Sequence, residues 1–196
     1  RNQVLFPEKI HGKYYRLERP TWQPNMFVVN AGHAPGGWIG PPWDIWITES
    51  TDLLHWGQAT ELLRTDRLDY ANAKIGGGAP PIRTDRGWLC LIHGDDIDPR
   101  RGKNGWEPQW HGRYHTGVML LDLDDPRRVV AYSRTPLLTP EAPYEREGGY
   151  RNNVVFATAA LLQDDGQLRI YYGAADTHVC IATAPLEAVL DFCTSS

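Results

Sequence analysis

The 196-residue chain is long enough for one domain with a substantial core, and 20 basic against 24 acidic residues leave a net charge of -4. The charges are mixed and form no basic stripe, which argues against nucleic acid or an anionic membrane as a partner. No apolar run approaches the ~18 residues of a membrane span, and no signal-peptide pattern is read at the N-terminus.

Three cysteines, Cys90, Cys180 and Cys193, are odd in number and lack metal-type spacing. Cys90 and Cys180 sit in apolar, strand-like runs, so buried thiols in a reducing cytoplasm are expected. Eight Trp, nine Tyr, 15 Pro and 19 Gly predict short strands and tight turns. The aromatics fit either sugar-stacking clefts or a large aromatic core.

In chain order, the first β-rich unit is Val4-Leu5-Phe6-Pro7, a turn closed by Gly12, then Lys13-Tyr14-Tyr15, with a third run at Asp44–Thr48. The long Gly-, Pro- and Trp-rich loop Thr21–Pro42 interrupts it, and Asp52–Trp56 is predicted as a short helix. Lys74-Ile75-Gly76-Gly77-Gly78-Ala79-Pro80-Pro81 follows. Glycines let a backbone approach a ligand or a crowded axis and prolines stiffen the exit, so Lys74 is a candidate anion site. The stretch lacks the Gly-Lys-Ser/Thr ending of a nucleotide-binding loop, which argues against ATP.

A second unit runs through Ala79-Pro80-Pro81-Ile82, Gly87 and Trp88-Leu89-Cys90 to Gly117–Leu121, with the long loop Asp95–His111 between. Asp95-Asp96 reads as a cavity-mouth pair or as a solvated loop. The third unit is Val154-Val155-Phe156-Ala157, Gly166, Gln167–Ile170 and His178–Thr183. A short helix over Pro185–Phe192 is predicted from apolar Leu186, Val189, Leu190 and Phe192. Asp124-Asp125-Pro126 and Asp164-Asp165-Gly166 are turn chemistry.

The turn glycines Gly12, Gly87 and Gly166 are 75 and 79 residues apart, and Asn2–Phe6 echoes Asn152–Phe156. Several short strands at that spacing predict an all-β propeller with about three blades present. Closed propellers use roughly four to eight blades. Residues 1–196 therefore read as a single propeller domain, incomplete at its N-terminus.

Seven motifs in order resemble glycoside hydrolase family 130, the β-mannoside phosphorylases and related mannosidases, and most closely its mannosylglucose phosphorylase branch. They are Val4-Leu5-Phe6-Pro7-Glu8-Lys9-Ile10 with Gly12-Lys13-Tyr14; Arg19-Pro20; Ile45, Ile47, Glu49-Ser50 and Asp52-Leu53; Lys74-Ile75-Gly76; Leu120-Leu121-Asp122-Leu123-Asp124-Asp125-Pro126; Asn153-Val154-Val155-Phe156; and Tyr171-Tyr172-Gly173-Ala174-Ala175-Asp176-Thr177.

The resemblance implies a five-bladed β-propeller and an inverting phosphorolysis of β-mannosides to mannose 1-phosphate. Inorganic phosphate would be a co-substrate rather than a cofactor, and no metal or other cofactor is implied. Phosphate would be held by Arg1, Arg19 and Lys74 with His33 and Tyr114 nearby, and the mannosyl unit by Asp176, His93 and His115. Basic side chains suit this chemistry because the phosphate nucleophile must be gathered and aimed at the anomeric carbon. The partners implied are a mannoside oligosaccharide and phosphate, a homo-oligomer remaining possible.

The catalytic residue is unassigned: the family's general acid is an aspartate expected upstream of Arg1, with no matching segment here. Ala157 and Thr158 also stand where the family often has Pro and Cys or Thr. A β-mannosidase of the same family and a non-catalytic sugar-binding propeller fragment remain the alternatives. Simpler roles stand beside these assignments: a surface ion pair of Arg19 with Glu18 or a neighbouring acid, a solvated strand-end Lys74, a loop-bracing His33, an inner-strand His93, a core-edge His115 and a turn-capping Asp176.

Overall fold

The computed structural model describes residues 2–19, 43–98 and 111–195, and they are mostly β-sheet. The first sheet holds β1 (Asn2–Leu5), β2 (Tyr14–Arg19), β3 (Ile45–Ser50) and β4 (Thr60–Leu63) in sequential antiparallel order. A second sheet orders β5 (Lys74–Gly77), β7 (Trp88–Ile97), β8 (Gly112–Leu121) and β9 (Val129–Tyr132), with the two-residue β6 (Ile82–Arg83) also on β7. The third is a meander of β10 (Val155–Leu162), β11 (Gln167–Ala174) and β12 (His178–Pro185). These sheets are the three units of the sequence repeat. Gly12, Gly87 and Gly166 turn their hairpins at φ 79°, 145° and 79°, values a side chain would oppose.

The apolar run Trp88–Ile92 is continuous because β7 is buried on both faces. Trp88, Cys90 and Ile92 meet Phe6, Leu17 and Ile47 of the first sheet. Leu89 and Leu91 meet Ala157, Leu168 and Ile170 of the third. Helix α1 (Pro143–Arg146) is a single turn, and α2 (Leu186–Thr194) buries Val189, Leu190 and Cys193. The predicted C-terminal helix is thus present, beginning just after Pro185.

Two expectations need correction. Asp52–Trp56 is a run of bends, not a helix. The Ser50 hydroxyl accepts from the Asp52 and Leu53 amides, and Asp52 Oδ1 accepts from Leu54 and His55. These local bonds compete with helical ones, and Leu53 at φ 67° breaks the helical path. Cys90 and Cys193 are buried, but Cys180 is only half-buried. It lies on β12, which pairs with β11 on one side and exposes Val179 and Ile181.

Candidate functional site

The three glycines after Lys74 are where the sheets converge on β5. A Cβ on Gly76 would lie 2.7 Å from both Asn2 Oδ1 and His93 Cε1, one on Gly77 2.8 Å from Val4 Cγ2, and one on Gly78 2.7 Å from the Ala157 carbonyl. The crowded-axis reading of this stretch holds. Gly76 leaves the gap through which side chains of the first sheet reach β7.

Register then assembles the site. Lys74 on β5 faces Asp95 on β7, which faces Tyr114 on β8; Gly76 faces His93, which faces Thr116. Residues paired across strands share a face, so Lys74, Asp95, Tyr114 and His93 stand together. From the end of β2, Arg19 Nη1 donates to the Ile75 carbonyl at 3.3 Å and lies 3.2 Å from His93 Nε2. The Trp43 ring lies 5.4 Å from the Arg19 guanidinium and 5.8 Å from Lys74 Nζ. Phe156 of β10 closes the other side, 4.5 Å from the His93 ring.

Burial sets the electrostatics. It lowers the Arg19 pKa, though the Tyr114 and Asp95 oxygens oppose this. At Lys74 burial also disfavours the charge, but Tyr114 and Asp95 outweigh it and the pKa is raised. Burial, then the Arg19 and Lys74 charges, hold His93 well below 6.5. Lys74 Nζ is 3.2 Å from Asp95 Oδ2, with side-chain exposures of 12% and 0%. The solvated-loop reading of Asp95 is therefore wrong; as a strand residue two places from His93, it points the same way into the interior.

Asn2 Oδ1, Arg19 Nε and both Asp95 oxygens are buried with no hydrogen-bond partner among the described residues. Buried polar atoms are ordinarily satisfied, so unsatisfied ones beside two buried cations mark a place for a polar ligand. Next to them opens a pocket of about 210 Å³ lined by Tyr114, Arg151, Val154, Phe156 and Asp176. Burial raises the Asp176 pKa, opposed by Arg151, and its backbone sits at φ 51°, in the left-handed region.

Larger clefts of about 510 and 540 Å³ lie on the outer strands. Of their charged lining residues, Arg64, Arg134 and Glu49 are already ion-paired, with Asp66, Asp69 and Lys13, so these clefts offer less chemistry than the smaller pocket.

Of the residues singled out from sequence, Arg19, Lys74, His93 and Tyr114 are brought together, and Asp176 lines the adjoining pocket. Arg19 is not a surface partner of Glu18; Glu18 pairs with Arg16 instead. His115 is not brought to the site. One residue from Tyr114 on β8, it faces the opposite side, buried with its ring 6.0 Å from Tyr70. Arg1 and His33 lie outside the described residues. Asn2, Trp43, Asp95, Arg151 and Phe156 were not assigned from sequence. The echo of Asn2–Phe6 in Asn152–Phe156 was a signal for Asn2 and Phe156, and the His93-to-Asp95 spacing was one for Asp95. Among the described residues, no group of three or more His, Cys, Asp or Glu could hold a metal ion.

Comparison with known proteins finds mannoside phosphorylases among the proteins this chain is similar to. The chain is 36% identical over 187 residues to a β-1,2-mannobiose phosphorylase of Listeria innocua, covering 95% of this chain and 44% of that protein. The solved structure of that activity from Listeria innocua, in complex with β-1,2-mannobiose, matches with a TM-score of 0.77 at 36% identity, covering 98% of this chain and 46% of the other. A β-1,4-mannooligosaccharide phosphorylase of Ruminococcus albus is 36% identical, with coverages of 98% and 50%. A 4-O-β-D-mannosyl-D-glucose phosphorylase of Bacteroides fragilis is 32% identical, with coverages of 98% and 44%. The chain spans about half the length of these relatives. The profile of glycoside hydrolase family 130, described as β-1,4-mannooligosaccharide phosphorylase, matches residues 1–195, and the chain belongs to that family.

Proposed function

We propose that the full-length protein containing this chain is an inverting β-mannoside phosphorylase, cleaving substrates such as mannosyl-glucose with inorganic phosphate to give mannose 1-phosphate. The observation that carries this reading is the pair of buried cations, Arg19 and Lys74, with unsatisfied polar atoms around them and a sugar-sized pocket adjoining. An ordinary inverting hydrolase uses a second carboxylate to activate water. In the proposed reaction, phosphate held by Arg19 and Lys74 is itself the nucleophile, so no such base is required. Fixing it against the anomeric carbon turns a two-body encounter into a positioned one.

On this reading Asp176 and Arg151 hold mannosyl hydroxyls, with Tyr114 and Phe156 as aromatic walls. Neither Asp95 nor Asp176 is given the role of general acid. Asp95 is tied to Lys74, and the family resemblance assigns protonation of the leaving oxygen to an aspartate preceding Arg1. The three sheets are read as three blades of a five-bladed propeller working in the cytoplasm, with phosphate as co-substrate and no cofactor.

The test is product analysis on the full-length protein with mannosyl-glucose, β-1,4-mannobiose and β-1,2-mannobiose. Mannose 1-phosphate should form only when phosphate is supplied. Free mannose at an equal rate without phosphate would instead identify a hydrolase. Lys74→Ala should raise the KM for phosphate at least tenfold while leaving the fold intact.

A further inference from the structure

Asp95 is an unusual neighbour for an anion site. Its carboxylate is fully buried, and among the described residues its one close partner is the Lys74 ammonium at 3.2 Å; no backbone amide or hydroxyl donor is found on either oxygen. A buried carboxylate with one cation as its partner is costly, and a negative charge beside an anion's lysine should weaken that anion's binding. A lysine needing only support could have had a neutral amide or carbonyl there.

Resting on the phosphate site proposed above, we infer that Asp95 is a positioning residue that acts as an internal stand-in anion. It occupies the Lys74 charge when the site is empty and gives it up, taking a proton, when an external oxyanion enters. The exchange balances. The ammonium–carboxylate contact is replaced by an ammonium–oxyanion contact, and one proton from solvent neutralises the carboxylate left behind. When the sugar phosphate departs, that proton is lost and Asp95 reclaims the lysine. Asp95 thereby limits how tightly any oxyanion is held, favouring turnover over capture.

The surroundings support this exchange. Burial raises the Asp95 pKa, opposed by Lys74 and Arg19, while Asp96 beside it raises it further. The groups facing Asp95 are Lys74 from β5, Arg19 from β2, Tyr114 from β8 and His93 on its own strand. Arg19 stays charged, His93 is held neutral and burial raises Tyr114, so none of these three changes charge between pH 5 and 8.

The test measures sulfate and inorganic phosphate affinity by calorimetry from pH 5 to 8 on the full-length protein, its Asp95→Asn variant and its Lys74→Ala variant. Sulfate does not titrate in this range, so its profile isolates the protein's own protons. Wild-type affinity for sulfate should fall as pH rises. Asp95→Asn should bind about tenfold more tightly than wild type at pH 8, the factor set by one pKa unit of coupling, and the gap should narrow as pH falls. Equal or weaker binding by Asp95→Asn at pH 8 would overturn the inference and leave the phosphate site standing, provided Lys74→Ala loses affinity. Unchanged binding by Lys74→Ala would overturn both. If Asp95→Asn does not fold, the wild-type sulfate profile decides, a flat one being contrary to the inference.

Discussion

Arg19 Nη1 sits 3.2 Å from His93 Nε2, and since a guanidinium only donates, the imidazole nitrogen accepts. His93 accepting on Nε2 is thus the neutral tautomer that carries its proton on Nδ1. The ring also stacks on Tyr114 at 5.7 Å, so one histidine orients a cation from the first sheet and an aromatic wall from the second.

That state has a signed consequence for stability. The folded chain keeps His93 neutral where the unfolded chain protonates it near pH 6.5, so the unfolded state binds more protons below that value. The stabilising difference is present above pH 6.5 and is lost as pH falls. His93→Gln removes it. Between pH 7 and 5 the loss of unfolding free energy should be smaller in the variant by about 1–2 kcal/mol. Urea titrations at both pH values measure it, and equal losses would mean that His93 is charged in the fold.

Gly76 has no room for a methyl group. The added Cβ would meet Asn2 Oδ1 and His93 Cε1 at 2.7 Å, so in Gly76→Ala the Asn2 side chain and the buried His93 ring must shift. Overpacking of this kind costs about 1–3 kcal/mol. The variant should also lose phosphate affinity, because the His93 ring that must shift holds the Arg19 guanidinium at 3.2 Å. Thermal unfolding and phosphate calorimetry should move together; a stable variant with normal affinity contradicts the crowding argument.

Glu145 joins α1 to the third sheet. Its Oε1 accepts from the Tyr172 hydroxyl at 2.7 Å, and its Oε2 from the Glu141 and Ala142 amides, each at 2.8 Å. Tyr172→Phe deletes one donor to a buried carboxylate and should cost about 1.5–3 kcal/mol. Glu145→Ala strands the hydroxyl and both amides and should cost more. If denaturant midpoints rank the two variants the other way, the carboxylate is not the hub of this corner.

Asp176 should trade stability for binding. Burial raises its pKa above 3.8, so its charge opposes folding at neutral pH, and that penalty fades as pH falls through the raised value. Asparagine tolerates the left-handed backbone at φ 51° and carries no charge. Asp176→Asn should therefore match or slightly exceed wild-type stability at pH 7. Its kcat/KM for a mannoside should fall at least tenfold. Lower stability at pH 7 together with unchanged kinetics would assign Asp176 to the turn alone.

Much of the β architecture was legible because β-hairpin turns write themselves in glycine. Gly12, Gly87 and Gly166 marked three hairpins, and the unbroken apolar run Trp88–Ile92 marked a strand buried on both faces. The bends at Asp52–Trp56 were not legible, since Ser50 and Asp52 decide them through side-chain bonds that apolar periodicity does not register. Within the site, Lys74 stood out by charge and setting, and Arg19 through the family resemblance. Asp95 did not, because a paired Asp95-Asp96 reads as polar loop until strand register shows one residue inward and the next outward. His115 was misplaced for the same reason of alternation.

The closeness of Asn2, Val4 and Ala157 to three consecutive glycines makes β5 common ground for all three sheets. An oxyanion bridging Arg19 and Lys74, as proposed, would tie the end of β2 in the first sheet to the start of β5 in the second, against a Phe156 wall supplied by the third. Occupancy is then a clasp as much as a chemical event. Amide exchange in β1, β7 and β10 should slow in concert when the site fills, and a molecule caught between turnovers should be looser across its whole breadth.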